Sequence, residues 1–407
     1  MGRRRNVLAR LSIIGSRLED KTLRYLFAIN HPSQFHVFKN LALNLMGKGH
    51  SCIFFIQQRG FVELLAKQYG IDYRFLVSPI WKKKLTSKTG ILLRGLIHLI
   101  QADIRVIIYC LLNKVDFLLG SDISITHAGF ILRKHSLAFT DDDVHFIKPY
   151  SRLAFPFATN IVAPSVVNLE KWSFKKIAYP GTQKTAYVHP RMFKPNPDVL
   201  RKYSLMNSAF VIVRRVEFKA LHDSMHIAQT GITDSVLDKI ISGLVGSHKI
   251  IMSNEGEQNP KYKKYGMKIE PSDMLDLIYY ADLLIGDSQS MQVEAALLGT
   301  PSIRSNKWVL EGDKVSVIHH LENKYDLCIG IPPKEEETIV STALRLLQSG
   351  VKDEWRKKIV RFYEENISLT DMLMWLLDDY NTRAHMIKQD PSVLLDFLYP
   401  MEYSEDS

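Results

Sequence analysis

The hydrophobic pattern divides the chain into two series in which short apolar runs alternate with helix-period segments. "YLFAI" (Tyr25–Ile29) is apolar throughout, and Asn30–Gln34 is polar. Phe35, Phe38, Leu41, Ala42 and Leu45 then recur at helical spacing until Gly47 and Gly49 close the helix. "CIFFIQ" (Cys52–Gln57) is the next apolar run. The pattern predicts a β–α–β unit, because strands that are apolar at every position belong to parallel sheets covered on both faces. "FVELLAKQYGIDYRFL" repeats it, and "VDFLLGS", "ISITHAG", "HSLAFTDDD" and "ATNIVAPS" read as further strands or strand–helix joints. "AYPGTQKTAYVHPRMFKPNP" (Ala178–Pro197) has prolines, aromatics and no helical period, which predicts an ordered linker.

The second series opens with the strand "AFVIVRR" (Ala209–Arg215) and the helix "DSVLDKIISGLVG". The strand "KIIMS", the helix "SDMLDLIYYA" capped by Ser272 or Asp273, and the strand "DLLIGDS" follow. The helix "SMQVEAALLG" ends at Gly299 with Pro301 after it, and "PSIRS" is a strand. Two such series predict an α/β protein of two doubly wound, Rossmann-like domains facing across a cleft. The expected divisions are an N-terminal extension (1–23), an N-terminal Rossmann-like domain (24–195), a C-terminal Rossmann-like domain (196–365), and a helix crossing back with a tail (366–407).

Composition changes this picture little, and charge changes it more. Of 407 residues 46% are hydrophobic and 24% charged, the balance of a soluble globular protein. Residues 1–120 hold 19 Lys/Arg against 6 Asp/Glu, so the net charge of +10 comes from the N-terminal part. That asymmetry suits an anionic surface or ligand, or simply a solvated basic face. The start lacks a small-residue cleavage site, which argues against a signal peptide. Arg94, Asp103 and Arg105 interrupt the apolar segment Ile91–Leu112, which is therefore expected to form one or two core helices; behind "WKKKLTSK" (Trp81–Lys88) it also has the makings of a membrane-surface contact. Cys52, Cys110 and Cys328 sit among apolar neighbours and read as buried thiols of a reducing cytosol.

The chemistry concentrates in "IGDSQSMQVEAALLGTPSIRSN" (Ile285–Asn306). Asp287 or Ser288 caps the helix, and the amides of Gln289, Ser290 and Met291 lack intrahelical partners, which suits a phosphate. A good N-cap alone explains as much. Glu294 is harder to explain, since an acid among Val293, Ala295, Ala296 and Leu297 needs a partner when buried. Four residues after Ser290 it shares that face, and a carboxylate there suits a ribose. Arg214 and Arg215, at a strand end, suit a diphosphate through bidentate contacts.

"GDSQSMQVEAALLGTP" resembles the nucleotide-binding signature of the GT-B superfamily, and in particular its UDP-N-acetylglucosamine 2-epimerase branch. "NHPSQFHVFKNLALNLMGKGH", "KTAYVHPRMFKP" and "VRRVEFKALHD" are similar to an uncharacterised family of glycosyltransferase-like GT-B proteins, in consistent order over about residues 24–380. The resemblance implies a sugar nucleotide, with the GDS-type turn on the UDP phosphates and Glu294 on the ribose. It also implies no metal and no separate cofactor.

The leading expectation is a glycosyltransferase moving a sugar from a UDP-type donor to a glycan or lipid-linked acceptor in polysaccharide or cell-surface synthesis. It would be cytoplasmic, with peripheral contact at the membrane inner face through the basic N-terminal domain. His31 and His36 are candidates for a general base, and Asp142, between Asp141 and Asp143, for a catalytic carboxylate; capping roles compete in each case. His127, His189, Lys39, His222, Asp223, Glu255 and Glu257 are weaker candidates. A 2-epimerase is the runner-up, although "HFIKPYSR" and "NHPSQ" depart from that branch's motifs. A non-catalytic nucleotide-binding protein is a third reading. Nucleic acid finds no motif.

Overall fold

A computed structural model describes residues 22–58, 60–77, 88–215, 231–244, 246–254, 259–310 and 315–398. In the N-terminal half the elements run β1 (Arg24–Ile29), α1 (Pro32–Gly47), β2 (Ser51–Ile56), α2 (Gly60–Gln68), β3 (Tyr73–Phe75) and α3 (Lys88–Asn113). They continue with β4 (Phe117–Gly120), α4 (Ile123–Leu132), β5 (His135–Phe139), α5 (Lys148–Ala154), β6 (Asn160–Pro164) and β7 (Lys176–Tyr179). The strands form a seven-stranded parallel sheet in the order β3-β2-β1-β4-β5-β6-β7.

A 3-10 turn at Gln183–Ala186 and α6 (Asp198–Lys202) lead to the second half. It comprises β8 (Phe210–Arg215), α7 (Asp234–Leu244), β9 (Lys249–Asn254), α8 (Met274–Tyr280), β10 (Leu283–Gly286), α9 (Gln289–Leu297) and β11 (Ser302–Arg304). After these come α10 (Lys307–Leu310), α11 (Ser316–Tyr325), β12 (Ile329–Gly330), α12 (Glu336–Leu346) and α13 (Val351–Glu365). Five parallel strands in the order β12-β11-β10-β8-β9 make the second sheet. The two parallel sheets are the expected α/β architecture.

The chain then turns back. Ile367 N donates to Pro180 O, and α14 (Leu369–Asp378) and α15 (Tyr380–Gln389) pack against α1 and β7 of the first half. Thr370 Oγ1 donates to Ala186 O, and the Tyr363 hydroxyl donates to the carbonyls of Val188 and Leu297. These bonds hold α9 and the Gln183–Ala186 turn at the junction of the halves.

The period of two explains how β1 is covered. Tyr25, Phe27 and Ile29 share a core with α1, while Leu26 and Ala28 belong to a smaller cluster with Ala102, Val106 and Cys110 of α3. At the end of β4, Gly120 has φ +146°, and a Cβ there would stand 2.0 Å from Ala28 O. Only glycine allows that approach beside the point where the strand order turns.

One alternative is decided and one expectation changes. "ISITHAG" follows β4 as the helical side of a strand–helix joint, because buried Asp122 accepts from the amide and hydroxyl of Ser124 and starts α4. The segment Ile91–Leu112 is one helix but not a core helix, since half of its apolar side chains are exposed and few are buried. Its charges turn inward instead: Arg105 Nη1 donates to Phe75 O at 3.1 Å, and Asp103 bonds His127 of α4 at 2.9 Å. The three cysteines are buried free thiols.

Candidate functional site

In the second sheet the strand order turns between β8 and β10, whose C-terminal ends are Arg214–Arg215 and Gly286. Ligands of doubly wound sheets sit outside such a point. Gly286 is needed there because a Cβ would come within 2.4 Å of Arg214 O. Asp287 is buried, its amide bonds Arg214 O at 3.3 Å, and its carbonyl accepts from Asn306 Nδ2 at 3.1 Å. Ser288 is the N-cap of α9, its Oγ accepting from Met291 N at 3.5 Å. That cap takes one of the three amides expected to be open. Those of Gln289 and Ser290 bond to no other group among the described residues, so two donors and the helix dipole face the cleft.

Glu294 lies on the same helix and is buried at the junction. Its Oε1 accepts from the Tyr187 hydroxyl at 2.6 Å, and no second hydrogen bond reaches its carboxylate among the described residues. Burial raises its pKa, while the Tyr187 hydrogen bond and the charges of Lys184 and Arg214 pull the other way. One oxygen is thus fixed by Tyr187, and the other has no hydrogen-bond partner among the described residues.

The two arginines do not act as the expected pair. Neighbouring residues of a strand face opposite sides. Arg214 Nη1 donates to Ser253 O and Oγ at 3.2 and 2.9 Å, on the side where its charge reaches Glu294. Arg215 turns to Asp234 at the start of α7, at 2.8 Å.

The opposite rim is the loop after β5, and its three aspartates have three different fates. Asp141 pairs with buried Lys184 at 2.8 Å. Burial disfavours the Lys184 charge, yet the Asp141 carboxylate outweighs this and holds its pKa above the usual lysine value, with Glu294 and Asp142 adding to the effect. Asp143 Oδ2 accepts from Ser316 N and Oδ1 from Ser316 Oγ, each at 2.9 Å, and Oδ1 also takes Asn168 N at 2.6 Å. It therefore caps a helix, as the capping alternative allowed, but α11 of the other half rather than the next helix in sequence. Asp142 makes only backbone bonds, with Thr140, and no hydrogen bond reaches its carboxylate among the described residues. Burial and the Asp141 charge raise its pKa to about 7 against the opposing charge of Lys184. A carboxyl that titrates near neutrality is what general acid–base chemistry uses.

The histidines fare differently. His31 is the N-cap of α1, accepting from Ser33 N through Nδ1 while Gln34 Oε1 returns to the His31 amide. That capping box accounts for its position. His36 packs against the Tyr187 ring with centroids 5.5 Å apart. Burial, and then the Lys39 charge, push its pKa down to about 3, so it stays neutral and makes a poor base at physiological pH. The expectation of a catalytic base at His36 is corrected on that ground.

Lys184 and Tyr187 are side chains of the candidate site that sequence reasoning passed over. Both lie in "KTAYVHPRMFKP", and Tyr187 Oη and the Lys184 ammonium sit between Asp141 and Glu294. The signal was available: a lysine in a segment too aromatic to be exposed needs a partner, as Glu294 did. His127 joins α4 to Asp103 and Leu153 O, and His189 Nδ1 accepts from Arg191 N, so both act structurally. Lys39 lies over the Tyr69 ring. His222, Asp223, Glu255 and Glu257 fall outside the described residues.

The family of this fold and site is now decided by a match over residues 34–377 to the family described as "Protein of unknown function (DUF354)". The chain belongs to the DUF354 family. An uncharacterized protein of Methanocaldococcus jannaschii, MJ0665, is 22% identical over 227 residues, which are 49% of the DUF354 chain and 64% of that protein. Among solved structures, the UDP-GlcNAc 2-epimerase from Neisseria meningitidis bound to UDP-GlcNAc matches with TM-score 0.54 at 13% identity, over 83% of this chain and 94% of its own. The glycosyltransferase SnogD from Streptomyces nogalater matches with TM-score 0.56 at 12% identity, over 88% and 100%. At such identities the likeness shows the GT-B fold and leaves the reaction to the site.

Proposed function

We propose that this DUF354 protein is a glycosyltransferase that uses a nucleotide-sugar, with a UDP-sugar as the donor. The observation that carries the reading is Glu294: a buried carboxylate, fixed on one oxygen by Tyr187, on the helix whose first amides are open. A nucleoside diphosphate fits this arrangement, its phosphates on the amides of Gln289 and Ser290 and its ribose on the second oxygen of Glu294. Arg214 adds positive charge on the same side. A structural neighbour that holds UDP-GlcNAc supports the nucleotide class.

In this reading an acceptor hydroxyl oxygen attacks the anomeric carbon, and the bond from that carbon to the diphosphate breaks. The electron pair leaves with the diphosphate, whose developing charge meets the α9 amides. Asp142, ionised above pH 7, takes the hydroxyl proton. The N-terminal half presents the acceptor, a glycan or a lipid-linked one, in the cytoplasm at the membrane inner face.

Isothermal titration with UDP, GDP, CMP and ADP tests the reading, with UDP expected to bind tightest and to bind more weakly to Glu294→Ala. Binding of none of the four would overturn it. One observation favours a second reading, a UDP-GlcNAc 2-epimerase: a carboxyl near pKa 7 can remove and return a proton as well as accept one. Incubation with UDP-GlcNAc in deuterated water separates the two. Deuterium entering the sugar at C2 would select the epimerase; slow UDP release without exchange would select the transferase.

A further inference from the structure

Helix α3 is built inside out. Among its described side chains, only Ala102, Val106 and Cys110 are buried against the sheet. Leu93, Ile100, Ile104 and Leu111 form a line on the far side, all exposed. Leu92 and Leu112, 74% and 77% exposed, lie about 100° around the helix to either side of that line. The patch continues onto α4 and the loop after α5, where Phe130 and Phe157 are exposed and pack edge to face. A groove of about 750 Å³ runs beside it between β3 and α3, with apolar walls that include Phe55 and Ile108 and with Arg74 and Arg105 at its lining.

Single exposed leucines need no explanation, but a contiguous face of this kind marks a partner. Its composition decides which one. A partner helix covers a narrow seam, whereas this arc takes in more than half the circumference of α3. A second copy of the chain would also bring together two N-terminal parts that each carry a large excess of Lys and Arg over residues 1–120. Alongside the apolar arc stand Arg74, Arg94 and Lys134, while Arg105 is tied to Phe75 O and the acid of α3, Asp103, is taken by His127.

Thr89–Asn113 is long and apolar enough to cross a bilayer. Both its ends nevertheless return to strands of one sheet, and Ala102, Val106 and Cys110 hold it down. A helix so held lies in the interface and does not span it. Parallel crossovers start at the C-terminal ends of strands, so α3 begins on the cleft side of the sheet.

We propose that the outward faces of α3 and α4 are a monotopic membrane-binding surface for anionic phospholipid. The apolar arc sinks to the boundary between headgroups and acyl chains, the flanking cations meet the lipid phosphates, and the groove beside Arg74 takes an acyl chain. The surface sets the mouth of the cleft beside the membrane whatever nucleotide the cleft binds.

Vesicle flotation of the full chain tests this without any nucleotide, so it stands or falls apart from the transferase reading. Vesicles of phosphatidylcholine with phosphatidylglycerol should carry the protein up, and phosphatidylcholine alone much less. The double variant Ile100→Asp/Ile104→Asp should lose at least about tenfold in binding. Arg74→Gln should lose about fivefold. Melting followed by circular dichroism checks that the variants stay folded, which exposed positions permit. Wild-type protein left at the bottom with anionic vesicles overturns the proposal, as does undiminished flotation of the folded double variant. So does a dimer that the double variant makes monomeric with no lipid binding, which would assign the face to a second copy.

Discussion

The two rims of the cleft occupy equivalent places, each a loop after a parallel strand, yet their charges are arranged differently. Beyond β10 the loop ends in open amides at the start of α9, with Arg214 behind them. Beyond β5 the loop carries three consecutive aspartates, and Lys184 of the Gln183–Ala186 turn is committed to Asp141. The raised pKa of Asp142 reports how poorly the second rim accepts another negative charge. The proposed function therefore assigns the diphosphate to the α9 side and proton transfer to the β5 side, a division that the fold alone does not supply. The linker turn joins them, since Lys184 and Tyr187 face both rims.

The largest way to break this contrast is Asp142→Asn. If the β5 rim handles the proton, turnover should fall about a hundredfold or more, with nucleotide affinity unchanged. Initial rates against pH should rise through about pH 7 in the wild type and lose that limb in the variant. The same carboxyl has a stability signature. Its folded-state pKa lies above the unfolded value near 3.8, so its contribution is full below about pH 4 and is lost as pH rises through about 7. Asp142→Asn should thus melt a few °C higher than wild type at pH 8 and match it at pH 4, as calorimetry would read. A variant with full turnover would return Asp142 to a structural role.

Glu294 tests the other rim with a smaller effect. Glu294→Ala should weaken UDP about 10- to 100-fold in titration, the loss expected for hydrogen bonds to a charged group. Glu294→Gln, which can still accept from Tyr187, should lose less. Equal losses in the two would show that the charge matters and the shape does not.

Much of this was legible before any coordinates. Continuous apolar strands such as Tyr25–Ile29 and Leu283–Ile285 announce parallel sheets because burial on both faces leaves no room for alternation. Ser288 and Glu294 stood out as a cap and as an acid lodged among apolar residues. What stayed hidden depends on contacts between distant segments. The Tyr187–Glu294 bond spans 107 residues, and the cap of α11 comes from Asp143, 173 residues away. Helix α3 misled for a different reason. Charges inside an apolar run argue for a core only if they face solvent, and Arg105 and Asp103 face the protein.

The smallest predicted effect separates two neighbours. Arg214 and Arg215 are one residue apart, but strand alternation sends only Arg214 toward Glu294. Arg215 lies beside Asp234 as a partly exposed ion pair, a contact worth about 0–1 kcal/mol. Arg214→Ala should therefore weaken UDP binding clearly, whereas Arg215→Ala should leave it within about threefold and cost about 1 kcal/mol of stability or less. Parallel titrations of the two variants decide the matter. If Arg215→Ala loses as much affinity as Arg214→Ala, the arginine must leave Asp234 for the nucleotide. The C-terminal rim would then rearrange on binding, in contrast to a β5 rim whose Asp143 is already fixed by three hydrogen bonds.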